Sequence, residues 1–269
     1  MVLPSEPRKT QLTLKGLSTS HAWDQRPYPR RSRSTTMKYA PGTSVRGALV
    51  QVVAVRAVKM CAPTFPPNYP GDLGTLVVLP DGTQCSLRPI RPDDAGRLVE
   101  FHRNLSQRST YLRFFTVHPT LSPKEVERFT TVDYVNRLAF VIETHERLIA
   151  VGRFDRNAGS SDAEVAFVVA DDYQHHGLAS LLLDELARAA RARGIDTFVA
   201  ETLCENKAML DVFHHSGFDV SSKIDYGTVS LRFGIEMTES YCDALAARDD
   251  SRNVRRLPLV GPVDGSGEC

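Results

Sequence analysis

One stretch constrains the fold of this chain more than any other: Val168 to Gly194, VVADDYQHHGLASLLLDELARAARARG. Two valines end a strand-like run, a short polar turn follows, and Leu178, Leu182, Leu186 and Ala189 then recur at helical spacing. The spacing predicts a helix over 177–193. A strand that passes so abruptly into a long one-sided helix has to bury that helix against a sheet, which points to a mixed α/β layout.

The flanking segments extend that layout. TLVVLPDGTQCSLRPI places two β-rich runs around Asp81 and Gly82, a hairpin signal. In RPDDAGRLVEFHRNL, Asp93 or Asp94 is set to cap a helix whose apolar positions include Ala95, Leu98, Val99 and Phe101 or Leu105. SQRSTYLRFF and SPKEVERFT each open on Ser, and Glu125 follows Ser122 by three residues, a capping-box arrangement. RLAFVIETH and RLIAVGRFDR, joined at about His145 to Arg147, and then AEVAFVVA predict three consecutive antiparallel strands. Past the long helix come a strand, DTFVAETL, a helix, NKAMLDVFHHSG, and a closing hairpin, FDVSSKIDYGTVSLRFGIEM. The order β, α, α, β, β, β, α, β, α, β, β builds around one sheet, with no internal repeat.

The 269 residues carry a net charge of +1 and are 42% apolar, enough for a globular core and a poor match to a general nucleic-acid binder or a membrane-surface protein. The neutrality conceals an asymmetry. Residues 1–60 hold 11 Lys or Arg against Glu6 and Asp24, or +9, and the remainder holds 22 against 30, or −8. Residues 1–68, rich in Pro, Ser, Thr and Arg, read as a basic, mostly disordered tail with one short helical stretch near Val45 to Val58. Its Arg30, Arg31 and Arg33 either touch an acidic partner or belong to a solvated tail, even one preceding a true start at Met37 or Met60. The ordered domain is expected over 73–237, and 238–269 as a C-terminal tail ending in the loose PLVGPVDGSGEC. Five scattered cysteines (Cys61, Cys85, Cys204, Cys242 and Cys269) without a C-x-x-C pair argue for free thiols in a reducing compartment and against a structural zinc. The early apolar run GALVQVVAVRAVKMCA is broken by Arg56 and Lys59 and is too short to span a membrane, so the expectation is a soluble, cytoplasmic protein.

The turn before the long helix is where chemistry enters. A strand end followed by a glycine at a helix start offers several backbone N–H groups to an anion, aided by the positive end of the helix dipole. Residues 174–180 are therefore a candidate pyrophosphate cradle. They form neither a Walker A loop nor a G-x-G-x-x-G turn, and by themselves they fit an ordinary strand-to-helix connection equally well.

The neighbouring residues carry a family resemblance. Gln174-His175-His176-Gly177-Leu178-Ala179 resembles the Q/R-x-x-G-x-G/A motif of the GNAT superfamily of acyl-CoA-dependent N-acyltransferases, in its place between a strand and a long helix. ENKAMLDVFHHSGF is similar to the family's Asn-containing helix ending in Gly-Phe, here Gly217 and Phe218. LRPIRPDDAGRLVEF and STYLRFF resemble the GNAT domains of bacterial protein lysine acetyltransferases and of ADP-forming acyl-CoA synthetase-like proteins. The resemblance covers about 73–237. It implies an α/β fold (α+β, mixed sheet) with a central, largely antiparallel sheet, two parallel strands that splay apart, and flanking helices.

The same resemblance implies roles. Pantetheine would enter between AEVAFVV and DTFVAETL and pair with backbone near Phe167, Val168 and Val169, while the pyrophosphate would rest on Gln174, His175, His176, Gly177, Leu178, Ala179 and Ser180. The imidazoles of His175 and His176, like those of His214 and His215, read as bystanders to the chemistry. Acyl transfer to an amine needs a base, because only the free amine attacks. Glu164 stands where the family's catalytic glutamate does; the bland alternative is a solvent-facing strand carboxylate. A backbone N–H near Val168 or Val169 would meet the developing oxyanion. The sequence departs from the family at Phe213, where many members carry a tyrosine that protonates the coenzyme A sulfur. Tyr173 is no assured substitute, and a thiol leaving group of pKa about 8.5 tolerates unassisted departure. Asn206 resembles a pantetheine- or substrate-contacting asparagine and suits a helix N-cap equally.

These readings imply an acetyl-CoA-dependent N-acetyltransferase that needs no metal. It would act by direct transfer in a ternary complex on a protein lysine, such as one of an acyl-CoA synthetase. A small-molecule amine as acceptor and a non-catalytic acyl-CoA sensor are the alternatives. A covalent acyl-cysteine route is disfavoured, since only Cys204 falls near the presumed site. The first 68 residues are too short and irregular for the cyclic-nucleotide or synthetase-like domains found beside GNAT units elsewhere. The acidic body favours a basic protein partner over nucleic acid or membrane, although such long-range bias is weak at cellular salt.

Overall fold

A computed structural model describes residues 65–145, 147–250 and 255–257 of the chain. The expectations for residues 1–64 of the basic segment, with its Arg30, Arg31 and Arg33, the stretch near Val45 to Val58 and Cys61, and those for Cys269 and PLVGPVDGSGEC lie outside the described residues.

The strands are β1 (Thr75–Val78), β2 (Gln84–Pro89), β3 (Arg137–Glu143), β4 (Leu148–Arg156), β5 (Asp162–Val169), β6 (Thr197–Leu203), β7 (Val220–Asp225), β8 (Thr228–Gly234) and β9 (Arg255–Leu257). They form one sheet in the order β7-β8-β6-β5-β4-β3-β2-β1-β9. Every pairing is antiparallel except β5 with β6. The α-helices are α1 (Ala95–Asn104), α2 (Gln107–Phe114), α3 (Pro123–Thr130), α4 (Leu178–Arg191), α5 (Lys207–His214) and α6 (Glu239–Asp250). The three-strand meander and the mixed sheet with its parallel pair match the sequence reading.

Alternation along β3 assigns the layers. Leu138, Phe140 and Ile142 face one core, which α4, α5 and α6 cover with Leu182, Leu186, Phe213 and Tyr241. Ala139 and Val141 face the other, covered by Leu98 and Phe101 of α1 with Phe129 of α3 packed beside them. With helices on both faces, the central strands are apolar throughout: five consecutive residues of β3 are buried. Each fully buried Leu or Phe contributes roughly 1.5–3 kcal/mol, so the two faces together hold the sheet in the shape that the site requires.

Caps close the helices. Ser122 Oγ accepts from the Glu125 N–H at 3.3 Å and Glu125 returns by accepting from the Ser122 N–H at 2.8 Å, the expected capping box. Asp94 does something other than cap α1: it is buried and accepts from both terminal nitrogens of Arg88, at 2.7 and 2.8 Å, and from the Arg91 N–H at 2.8 Å. Burial opposes its charge, but the Arg88 guanidinium outweighs that and holds the carboxyl below its usual range.

The expected C-terminal tail needs correction over its first part. Residues 239–250 form α6, whose Tyr241 is 1% exposed, stacks on Phe218 at 4.3 Å and donates to Asp184 of α4 at 3.2 Å. Charged residues around Tyr241 and the partly buried Leu245 hid the apolar side of α6. α4 is buried well beyond the predicted stripe, to include Leu181, Leu183 and Ala190. No helix of the described residues is long and apolar enough to cross a membrane.

Candidate active site

The sheet opens where the parallel pair of β5 and β6, the only one among the described residues, ends. β5 and β6 are in register from Asp162 with Thr197 to Glu164 with Val199, and no further. Beyond that point β5 is paired on its β4 side alone. The Ala170 N–H donates to the Ile149 carbonyl of β4 at 2.8 Å. Since successive strand residues direct their backbone groups to opposite edges, Val168 bonds toward β4, while Phe167 and Val169 direct N–H and C=O into the gap facing β6. Gln174 Nε2 marks this edge by donating to the Val169 carbonyl at 3.2 Å. Of the two amides expected to meet an oxyanion, the geometry leaves Val169 open and commits Val168 to the sheet.

A cavity of about 500 Å3 fills the gap, walled by α2, the 165–169 edge of β5, the turn into α4, β6 and α5. Phe167, Val168, Val169, Gln174, His175, Gly177, Leu178, Ala179, Ser180 and Asn206 all line it. His176 does not; its Nδ1 is buried without a hydrogen-bond partner. The turn has the backbone of an anion cradle. His175 (φ +64°) and Gly177 (φ +79°) are both left-handed, the kind of alternation that gathers successive N–H groups to one side. The first amide that bonds back into the turn is Leu181, to the Gly177 carbonyl, so the helix itself supplies no partner to the amides of Leu178, Ala179 and Ser180.

Two sets of contacts hold this turn. Asp171 accepts from the Ser106 N–H (2.9 Å), Ser106 Oγ (2.6 Å) and Ser109 Oγ (2.7 Å), tying it to the first turn of α2. Partial burial raises the Asp171 pKa, but these donors outweigh it and lower the value overall. Gln174 Nε2 also donates to Ser109 Oγ, at 3.1 Å. On the outer side Arg147 pairs with Asp172 and lies over the Tyr173 ring at 5.4 Å. Sequence reading recognised Ser106 as a helix cap, which it is. Its bond to a carboxylate 65 residues away had no local signal, nor did the lining by Arg108, Ser109, Leu112 and Arg113 of α2.

Phe213 is 2% exposed, packs against Phe167 and Phe233 with ring centres 5.6 Å apart, and lines the cavity without a hydroxyl. Asn206 Oδ1 caps α5 by accepting from the Met209 N–H at 3.3 Å, while its residue still lines the cavity. Thr202 also lines it, with an Oγ1 that is buried and lacks a partner. Cys204 is free and lies outside the lining.

Glu164 stands apart from this cavity. Its side chain is exposed on the opposite face of β5 from Val165 and Phe167. There it lines a second cleft with Glu201, Ser221, Lys223, Ser230 and Arg232. Ala200 and Glu201 belong to both, so the cleft and the cavity meet at the point where β5 and β6 part.

A sequence profile of the acetyltransferase (GNAT) domain matches residues 85–219, half of the chain and all of the elements that build the cavity. The chain belongs to the GNAT acetyltransferase family. An acetyltransferase of Pseudomonas aeruginosa is 31% identical over 144 residues, covering 52% of this chain and 77% of that protein. Acetyltransferase Pat of Mycolicibacterium smegmatis is 34% identical over 135 residues, covering 49% of this chain and 40% of that protein, so the chain matches less than half of that relative's length. Among solved structures, the GNAT domain of S. lividans PAT superposes with a TM-score of 0.58 at 41% identity, covering 62% of this chain and 99% of that domain. GNAT acetyltransferases take acetyl-CoA as acyl donor. The gap in the sheet, the open Val169 edge, the partnerless Thr202 hydroxyl and the left-handed turn before α4 have the shape and donors that such a thioester requires.

Proposed function

We propose that this GNAT enzyme acetylates a lysine side chain on another protein, by direct attack of the amine on acetyl-CoA with Glu164 as general base. The observation that carries the reading is the junction at Ala200 and Glu201, where the cavity suited to the cofactor meets the open cleft holding Glu164. Acetyl-CoA supplies an activated acyl group with a thiolate leaving group. The protein supplies position, a base and an N–H donor. The amides of 177–180 and the dipole of α4 hold the pyrophosphate. Phe167 and Val169 pair with the pantetheine arm, and the Val169 N–H faces the oxygen on which charge develops. Glu164, on the exposed face one short step up β5, takes the proton from the ammonium of the incoming lysine, directly or through a water. Phe213 leaves the departing sulfur without a proton donor at the family's usual place, which a leaving thiol of pKa about 8.5 tolerates.

A protein acceptor fits the cleft better than a small amine does, because its floor is an open sheet face rather than an enclosed pocket. The similarity to Pat and to the GNAT domain of PAT supports the same direction, and an acyl-CoA synthetase is the acceptor class that the sequence reading favours. The test is thiol release from acetyl-CoA with a lysine-bearing acceptor protein. Glu164→Gln is expected to lower kcat by about 10²–10⁴, the worth of a general base, with acetyl-CoA binding preserved. Undiminished turnover in that variant removes Glu164 from the mechanism. Coenzyme binding without thiol release, whatever the acceptor, removes the catalytic reading.

A further inference from the structure

Beneath the cofactor cavity, on the face of β5 that carries Ala166 and Val168, a small void of about 40 Å3 lies between α1, α2, α3 and β4. Its wall is apolar except for three side chains. Arg153 is 7% exposed; its Nε donates to Asp155 at 3.1 Å and its guanidinium lies 4.6 Å from the Phe129 ring centre, but its Nη2 is buried with no partner. His102, 5% exposed, likewise has a buried Nε2 without a partner. Arg113 lines both the void and the cofactor cavity, and it forms neither an ion pair nor a hydrogen bond among the described residues; its guanidinium sits 5.2 Å from the Phe114 ring centre.

Two like charges against an apolar wall are costly where they are only partly neutralised: the partly exposed Arg113 has no ion-pair partner among the described residues, and the buried Arg153 is paired with Asp155 through Nε alone. Burial pushes Arg113 down to about 10, the like charge of Arg153 adds to that, and Glu164 and Asp155 only partly oppose it. The void has room for about three water molecules, which is the heavy-atom count of one carboxylate. A carboxylate there would take the free N–H groups of both arginines and relieve their repulsion, in the fork geometry that guanidinium favours.

We propose that the void holds the terminal carboxylate of a short dicarboxylic acyl group, such as succinyl, so that the enzyme accepts an anionic acyl-CoA donor as well as acetyl-CoA. The inference rests on the cavity being the acyl-CoA site. The carboxylate is assigned to the donor because Arg113, Ala166 and Val168 are shared by the void and the cofactor cavity, while none of them lines the acceptor cleft. Transfer follows the same course as for acetyl. The amine nitrogen bonds to the thioester carbon, the carbon–sulfur bond breaks with its electron pair leaving on the coenzyme A sulfur, and the amine proton passes to Glu164. The distal carboxylate is unchanged, so a modified lysine goes from a positive to a negative side chain.

The experiment is calorimetric binding of acetyl-CoA, butyryl-CoA and succinyl-CoA to the full chain, with thiol release measured in parallel. Butyryl matches succinyl in length and lacks the charge. Succinyl-CoA is expected to bind about tenfold or more tightly than butyryl-CoA, the worth of a charge-assisted hydrogen bond. Arg113→Met should collapse that ratio toward one, and Arg113→Lys should retain part of it. Should neither variant fold, the wild-type ratio decides alone. Equal affinities for the two thioesters, or a preference untouched by a folded Arg113→Met, overturn the proposal. So does free succinate competing with a carboxylate-bearing acceptor instead of with succinyl-CoA, which places the anion on the acceptor side. If acetyl-CoA still binds and turns over in those cases, only this inference fails; if no acyl-CoA binds, the site reading falls with it.

Discussion

Gly217→Ala tests how far the C-terminal helix is part of the domain. Gly217 has φ +88°, and a Cβ built there would meet the Ala244 Cβ at 2.7 Å, the Ser240 carbonyl at 2.8 Å and the Tyr241 Cα at 2.9 Å. Two of those three atoms are backbone of the α6 region, so no rotamer change clears them. They would have to retreat by roughly half an ångström or more to reach ordinary contact. The left-handed conformation costs an alanine about 1–2 kcal/mol, and overpacking adds about 1–3 kcal/mol. The sum is about 2–5 kcal/mol, a large share of the stability of an ordinary domain. At a urea m-value of about 2 kcal/mol/M, the unfolding midpoint should fall by about 1–2.5 M. The same shift of α6 would disturb Tyr241, its hydrogen bond to Asp184, and the Arg248 contacts to the Ser216 carbonyl and Asp184, at 3.1 and 2.9 Å. Adding Ala244→Gly removes the shortest contact and should restore part of the loss. A midpoint shift below about 0.5 M in Gly217→Ala, which that slope converts to under about 1 kcal/mol, would refute the reasoning and detach α6 from the domain.

Asp171→Asn should make stability less dependent on acid pH. Hydrogen bonds from Ser106 and Ser109 lower the folded pKa of Asp171 against burial, so its contribution is present above its unfolded value and lost as pH falls through the folded one; a wild-type and variant difference that stays constant from pH 7 to about 3 contradicts this. Thr202→Val removes a buried hydroxyl that has no partner, and should stabilise the free protein by up to about 1–3 kcal/mol while weakening acetyl-CoA binding. Thermal melts and calorimetry on the same samples check both halves. Asn206→Ala loses the α5 cap at Met209 and should cost about 1 kcal/mol in denaturant unfolding; no change in stability would leave Asn206 without its capping role.

Legibility differed between the two halves of the site. The turn into α4 could be read from sequence because its features are local: a strand end, a glycine at the helix start and an apolar stripe all fall within a few residues. The cap role of Asn206 was legible for the same reason and is observed, while its place in the cavity lining is decided by the fold. Arg113 and Arg153 were silent. They come from α2 and β4, and only folding brings the guanidinium of Arg113 and the partnerless Nη2 of Arg153 to one void. Tyr241 was missed because one aromatic and a single leucine among charged residues leave only a weak periodic signal.

Sequence alone determined the element order from the meander to the closing hairpin, the Ser106 and Ser122 helix caps and the likeness to GNAT enzymes, since these follow from periodicity, capping residues and short motifs that act over a few positions. Tertiary structure decided the rest. It chose Val169 over Val168 as the open amide, because strand pairing commits alternate residues to alternate edges. It set Glu164 in a cleft beside the cavity that Phe167 lines, because alternation sends the two residues to opposite faces of β5. It also recruited α6, Asp171 and the arginine pair, whose partners lie tens of residues away and meet only when the sheet and its two helical layers close.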